Sequence, residues 1–327
     1  MKGKPAWAGI AAGIGMLILI LDSRTALEGA SAGIQLCIQT LIPALYPFFV
    51  LSIVFTGALA GVSFPVLSVL GKACGLPPRS EALLIPAFLG GYPVGAQAVS
   101  ALYHSGTVTR DGAQRMLGFC SNAGPAFLFG MASVMFSKQW MVWSLWGIHI
   151  LGAIAASILI PGFKIDASFA AEQKNVSFSD AVISAAKVMA KVCGWVVLMR
   201  VWIAFLKRWI LWLLPNTAQV IIIGFLELSN GCYALTSIPD ESVRFILCAA
   251  FLGFGGVCVA MQTISVTQGL SCKFYFLGKA LQTLYSVLFA WAVTRGVGIP
   301  FFVGSFLLLA LWRRQKKTSG ILQPVGV

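Results

Sequence analysis

Apolar stretches long enough to cross a hydrocarbon layer of about 30 Å, which takes roughly 20 helical residues, recur along this 327-residue chain from one end to the other. Inside lipid every backbone N–H and C=O must find its partner within the protein, which rules out lipid-exposed loops and open sheet edges. The composition agrees: 58% of residues are hydrophobic and 10% charged, against about 25% charged in soluble domains. A soluble fold could not cover its core with so little polar surface. The expectation is an all-α polytopic membrane protein of a bacterial-type inner membrane, with the lipid bilayer as its first partner.

The formal charge of +13 would suggest nucleic acid in a soluble chain. Here the basic residues stand at the ends of apolar segments: Lys2 and Lys4, Lys72 and Arg79, Lys207 and Arg208, then Arg313, Arg314, Lys316 and Lys317. Cytoplasmic flanks collect Lys and Arg in this way, so a nucleic-acid partner is not expected. Basic termini place both ends in the cytoplasm and require an even number of crossings, about eight by length. The first apolar run, 7–21, follows a basic start but lacks a small-x-small cleavage site, and reads as a retained helix.

Enzymatic chemistry is poorly supplied. Eight cysteines are scattered singly, two histidines lie far apart, and no CxxC, zinc spacing, GxSxG, HExxH or phosphate loop occurs. Neither an enzyme nor a resident metal or cofactor is expected. A coupling proton or sodium ion is compatible with this composition, as is an oligomer.

Breaks in the apolar runs carry the most information. At 86–97 the chain reads Pro-Ala-Phe-Leu-Gly-Gly-Tyr-Pro-Val-Gly-Ala-Gln, with three glycines and a proline inside six residues. No continuous helix tolerates that, and broken backbone survives at membrane depth only where protein or a water-filled cavity satisfies it. Similar breaks occur at Ser121-Asn-Ala-Gly124-Pro125, at Glu227-Leu-Ser229-Asn230-Gly231 and at Gly253-Phe-Gly255-Gly256. Pro43 and Pro47 are expected to interrupt the segment before Phe48, and Gly9 and Gly13 to offer a helix-contact face.

The resulting division is 1–34, a first helix and the start of a second; 35–162, a first half; 163–178, a polar connector; 179–312, a second half with the last span; and 313–327, a basic tail. Phe88-Leu-Gly90 matches Phe251-Leu-Gly253 at an offset of 163 residues (251 − 88), and Val94 with Val257 and Gly106 with Gly269 keep that offset. Glycine- or proline-interrupted segments at corresponding places in two halves point to a transporter's binding site.

Buried polar groups in a membrane persist mainly where they face a bundle interior or a water-filled route. The candidates for solute contact are Tyr92, Gln97, Ser121 and Asn122 in the first half. In the second they are Glu227, Asn230, Gln262, Thr263 and Ser265, with Ser229 beside them. Gly90, Gly91, Pro93, Gly95, Gly124, Pro125, Gly253, Gly255 and Gly256 mark the backbone breaks. Gln97, Asn122 and Gln262 have two uses, bonding freed backbone or contacting a solute. Glu227 has three: an ion or proton site, a solute contact, or a partner for Arg200. His149 reads as packing, and Lys279 as either an anion contact or a paired base.

The stretches Leu41-Ile-Pro43-Ala-Leu-Tyr-Pro47-Phe-Phe-Val, Gly90-Gly-Tyr92-Pro93-Val-Gly95-Ala and Ser121-Asn-Ala-Gly124-Pro125-Ala-Phe, with Leu226-Glu227-Leu-Ser229-Asn230-Gly231 in the second half, resemble the nucleoside-recognition (Gate) domain membrane proteins. More narrowly they resemble the YlbJ-like sporulation integral membrane proteins. The resemblance spans about residues 35–295. It implies two halves with broken or re-entrant helices, a fold like that of the concentrative nucleoside transporters, and alternating access for a small-molecule solute. In the sporulation branch it implies dipicolinic acid as the solute and the outer forespore membrane as the location. Gln97 stands where many members of the family carry a basic residue, which lowers charge complementarity to a dianion; nucleosides or another small aromatic acid remain open. The rival expectation is a non-transporting membrane protein that binds partners in spore or envelope assembly.

Overall fold

A computed structural model describes residues 6–58, 65–76, 80–161 and 177–318. Most of the 163–178 connector, Lys2, Lys4, Arg79 and the tail beyond 318 lie outside the described residues. The elements begin with α1 (Ala6–Leu21), α2 (Ser23–Leu36), a π-helical turn (Cys37–Leu41), α3 (Ile42–Ala58), α4 (Pro65–Cys74), α5 (Leu84–Leu89), α6 (Val94–His104), α7 (Arg110–Leu117), α8 (Pro125–Met135) and α9 (Gln139–Leu159). They continue with α10 (Phe178–Trp209), α11 (Asn216–Leu226), α12 (Leu228–Ala234), α13 (Glu241–Phe254), α14 (Gly256–Val266), α15 (Lys273–Thr294) and α16 (Gly298–Thr318). Among the described residues, five helical stretches are long and apolar enough to cross a membrane: Ser23–Phe55, Gln139–Leu159, Phe178–Trp209, Glu241–Val266 and Lys273–Thr294.

Two expectations are corrected at once. Pro43 and Pro47 do not interrupt the chain, because α2, the π turn and α3 run on as one rod. The π turn closes its bonds over five residues, as when Ile42 N–H donates to Cys37 O, and the widened turn makes room for the Pro43 ring. Gly9 and Gly13 meet no neighbour within 4 Å. The small-residue contact lies instead on α2, where a Cβ on Gly29 or Gly33 would come within 2.9 Å of the α10 backbone at Val201 and Val197. Close packing of this kind replaces the hydrophobic drive that lipid does not supply.

The bundle has two ends. At one, Arg115 is buried and donates to Cys74 O (2.9 Å), Ser157 O (2.7 Å) and Pro161 O (3.1 Å), joining the last turns of α4 and α9. A cation at helix C-termini is favoured by their carbonyls. Gln114 accepts from Ser271 N at 2.8 Å at the same end, which brings the starts of α7 and α15 together. At the other end Ser137, just past α8, donates to Glu241 at 3.1 Å, and Asn216 bonds Ser237 Oγ at 3.0 Å.

These contacts fix the path of the four interrupted pieces. The α5–α6 pair is a hairpin, with Ala87 Cα 3.0 Å from where a Gly95 Cβ would stand; it opens toward the Arg115 end. The α11–α12 pair is a hairpin opening toward the Glu241 end, its arms so close that a Gly231 Cβ would lie 2.1 Å from Gly224 Cα. The α7–α8 piece crosses from the Arg115 end to the Glu241 end, and α13–α14 crosses the opposite way. Arg110–Met135 and Glu241–Val266 begin and end 131 residues apart (241 − 110 and 266 − 135). The 163-residue offset therefore joins unlike objects, a hairpin with a crossing. Its glycine matches do not mark equivalent places in the fold: Gly90 ends α5, whereas Gly253 lies inside α13.

Candidate functional site: hairpin tips at a small central cavity

Each hairpin turns in the middle of the bundle. In α5–α6 the turn is Gly90–Pro93, with Gly91 at φ +76°, a conformation glycine adopts without cost. In α11–α12 the turn is Glu227 alone, in extended backbone (φ −145°, ψ 119°). Its carboxylate caps α12, Oε1 accepting from Ser229 N (3.0 Å) and Oε2 from Asn230 N and Asn230 Nδ2 (both 2.7 Å). Both oxygens act as acceptors, as an ionised carboxylate does. The α13–α14 crossing breaks at Gly255 and Gly256 (φ +84° and +85°), and the α7–α8 crossing between Gly118 and Gly124. Gly95 and Gly253, expected as breaks, lie inside helices: a Cβ there would meet Cys120 O at 1.7 Å and Thr283 Cα at 2.8 Å. They are sites of close packing. Pro125 is the first residue of α8, where its missing N–H costs nothing.

The two tips face one cavity of about 40 Å³, walled by Tyr92 from the first hairpin, Glu227 and Ser229 from the second, Gln262 from α14 and Val192 and Val196 from α10. A water needs about 10–15 Å³ of such space, and small-molecule sites run to about 300–1,000 Å³. The cavity has room for waters or a bare cation. It does not hold an aromatic ring in this conformation.

Behind Tyr92 lies a buried polar network. Lys279, 1% exposed, donates to Tyr92 OH (3.1 Å) and to Gln282 Oε1 (2.8 Å), and its ammonium sits 4.9 Å from the centre of the Tyr92 ring. Gln282 Nε2 donates to Asn122 Oδ1 (2.9 Å) and His149 O (3.1 Å). Tyr92 OH in turn donates to Leu252 O at 3.0 Å, tying the first hairpin to α13. No carboxylate pairs with Lys279 among the described residues. Lysine and glutamine three residues apart on one apolar helix share a face, with Ser286 a turn further, and that spacing was the signal that could have exposed the pair in advance.

The expected site residues separate into four groups. Tyr92, Glu227 and Gln262 meet at the cavity. Asn122 does not line it; its Nδ2 donates to Ala87 O (3.0 Å) and Phe119 O (2.7 Å), so it secures the α7–α8 break to the first hairpin. His149 plays a matching part, its Nε2 accepting from Ala123 N at 3.0 Å. Asn230 links Glu227 to Arg200, whose Nη1 donates to Asn230 Oδ1, so Arg200 reaches Glu227 through an amide and not as an ion pair. Ser121 and Thr263 are fully buried, with hydroxyls that find no acceptor among the described residues. Gln262 donates to Cys258 Sγ at 3.4 Å, one turn back on its own helix. Gln97 and Ser265 line a different cavity, nearer the Arg115 end.

Helices of membrane-spanning length, with paired hairpins that turn inside the bundle, define an all-α polytopic integral membrane protein. No family model and no solved structure matches the chain. It is similar to the sporulation integral membrane protein YlbJ of Bacillus subtilis (strain 168), 21% identical over 319 residues, a match covering 83% of this chain and 78% of the relative.

Proposed function

We propose that this chain is a bacterial transporter of a small anionic aromatic solute that works by alternating access. One observation carries the reading: hairpins that open toward opposite ends of the bundle bring their tips, Tyr92 and Glu227, to the same small cavity. Each hairpin blocks the route from its own side, so moving one at a time would open the cavity to one side at a time. Oppositely oriented repeats around a mid-membrane site, with interrupted helices supplying backbone groups, are the architecture of many secondary transporters. The pairing of α7–α8 with α13–α14 supports reading the two halves as such repeats, in keeping with the resemblance to the concentrative nucleoside transporters.

The site chemistry favours an anion together with a cation. Lys279 is a buried amine with no carboxylate partner among the described residues, one hydroxyl away from the cavity wall, and Glu227 is a carboxyl group on that wall. In this reading Lys279 attracts the acidic groups of the solute once the hairpins part, and Glu227 holds the coupling proton or sodium ion. The sequence resemblance to the sporulation branch, and not the similarity to YlbJ by itself, makes dipicolinic acid the first solute to try and the outer forespore membrane the location in this reading. The Arg115 end, with Lys72, Lys273 and Arg313 beside it, fits the cytoplasmic face.

Thermal unfolding of the purified protein tests the reading against dipicolinate, several nucleosides, and sodium at two pH values. A solute at a hundredfold excess over its dissociation constant stabilises the folded state by about 2.7 kcal/mol. A shift with dipicolinate supports the reading as stated, and a shift with nucleosides alone replaces the solute. No shift with any of them favours the partner-binding alternative.

A further inference from the structure

A second cavity, of about 350 Å³, opens at the Arg115 end between α6, α10 and α14. That volume is within the range of small-molecule sites. Lys187 and Lys191 line it from α10, with Ser184 beside them; Gln97, Ser100 and His104 line it from α6, and Ser265 from α14. No acidic residue contributes to the wall among the described residues. Neither lysine has an ion-pair partner among them. Gln97 Oε1 is buried there without a hydrogen bond.

The position of this cavity gives it meaning. The same three elements wall the central cavity a short way deeper: Val192 and Val196 on α10, Gln262 on α14, and Tyr92 just before α6. From Lys191 to Val196, from Ser265 to Gln262 and from Gln97 to Tyr92 the steps are three to five residues, ~4–8 Å at the helical rise. The outer wall carries ammonium and hydroxyl donors, and the inner wall carries Tyr92 and Gln262.

We propose that this cavity is an anion-binding vestibule, a docking subsite where a small dicarboxylate dianion binds at the mouth of the route before it reaches the hairpin tips. Lys187 and Lys191 are four apart and share one face of α10, with Cβ atoms ~6 Å apart. Two point charges at that spacing suit the two carboxylates of one small ring. Ser184 and Ser100 offer neutral hydroxyls around them, and Gln97, its Oε1 buried, closes the inner side. The inference rests on the transporter reading for its role, though not for the binding itself.

The test uses the full chain in uncharged detergent micelles, with pyridine-2,6-dicarboxylate as probe and nicotinamide as a neutral ring of similar size. Thermal stability is followed against probe concentration for the wild type, the Lys187→Gln/Lys191→Gln variant and the Lys187→Arg/Lys191→Arg variant. The vestibule predicts a saturable shift with the dianion and none with nicotinamide. It predicts that the half-saturating concentration rises about tenfold or more in the Gln variant, stays near wild type in the Arg variant, and rises with salt. All three proteins should melt alike without probe, since both lysines are exposed. A Gln variant that binds like the wild type overturns the proposal. So does a wild type that ignores the dianion, or a shift that follows added phosphatidylglycerol in place of the free dianion. Binding in micelles needs no transport, so lysine-dependent binding without uptake in vesicles would refute the transporter reading and leave the vestibule standing.

Discussion

Replacing Asn122 with Ala separates a structural role from solute contact. The side chain makes three buried bonds, two donated to Ala87 O and Phe119 O and one accepted from Gln282 Nε2. Gln282 keeps His149 O as an acceptor at 3.1 Å, but the two carbonyls lose a donor inside the bundle. Side-chain bonds in membrane proteins are worth about 0.6 kcal/mol on average and up to about 1.7, so three of them amount to about 2–5 kcal/mol. That is a large share of a stability of roughly 5–15 kcal/mol. The expected outcome of Asn122→Ala is a lower melting temperature and a poorer yield of monodisperse protein, with weaker attachment of the first hairpin to the α7–α8 break. Asn122→Asp should be worse, because it aims a carboxylate oxygen at the same two carbonyls. The assay is thermal unfolding in detergent without any solute. An Asn122→Ala protein that melts like the wild type and loses only its response to solute would refute this assignment and return Asn122 to the binding surface.

Three further outcomes rest on the same geometry. Glu227→Gln keeps the shape of the α12 cap but gives up the charge, and should cost about 1 kcal/mol while abolishing ion or proton dependence of uptake; unchanged dependence would make Glu227 a cap and nothing more. Lys279→Met removes a buried amine whose desolvation when charged costs several kcal/mol, so it should melt within about 2 kcal/mol of wild type or above it, keep the stability shift of the outer cavity and lose uptake of the dianion; wild-type uptake would show that Lys279 does not serve the solute. Gly278→Ala places a Cβ 1.8 Å from Gly118 O, and overpacking against backbone should cost about 3 kcal/mol or more; a well-folded, wild-type-like protein would contradict the close approach of α15 to the α7–α8 break.

The apolar runs and their interruptions were legible because lipid makes both unambiguous: a span must be apolar, and a glycine cluster inside one must turn. Gly91, Glu227 and Gly255 all mark real turns, and Tyr92, Glu227 and Gln262 converge from segments far apart in sequence. What sequence spacing could not show was direction. A hairpin and a crossing can share the same Phe-Leu-Gly signature, so the 163-residue match joined α5–α6 to α13–α14. Pro43 and Pro47 misled for a related reason: a helix absorbs proline when one turn widens, and no residue at 37–41 announces a π turn. Lys187 and Lys191 drew no expectation, since exposure to a cavity and exposure to water read alike in a sequence.

The central claim, that the two hairpin tips form a site open to one side at a time, is tested most directly by solute counterflow. Proteoliposomes loaded with unlabelled pyridine-2,6-dicarboxylate are diluted into a trace of the labelled compound. The account predicts transient accumulation of label above the outside concentration, dependent on the protein and absent from empty vesicles. Label that never exceeds the outside concentration, with dipicolinate and with nucleosides alike, would contradict it.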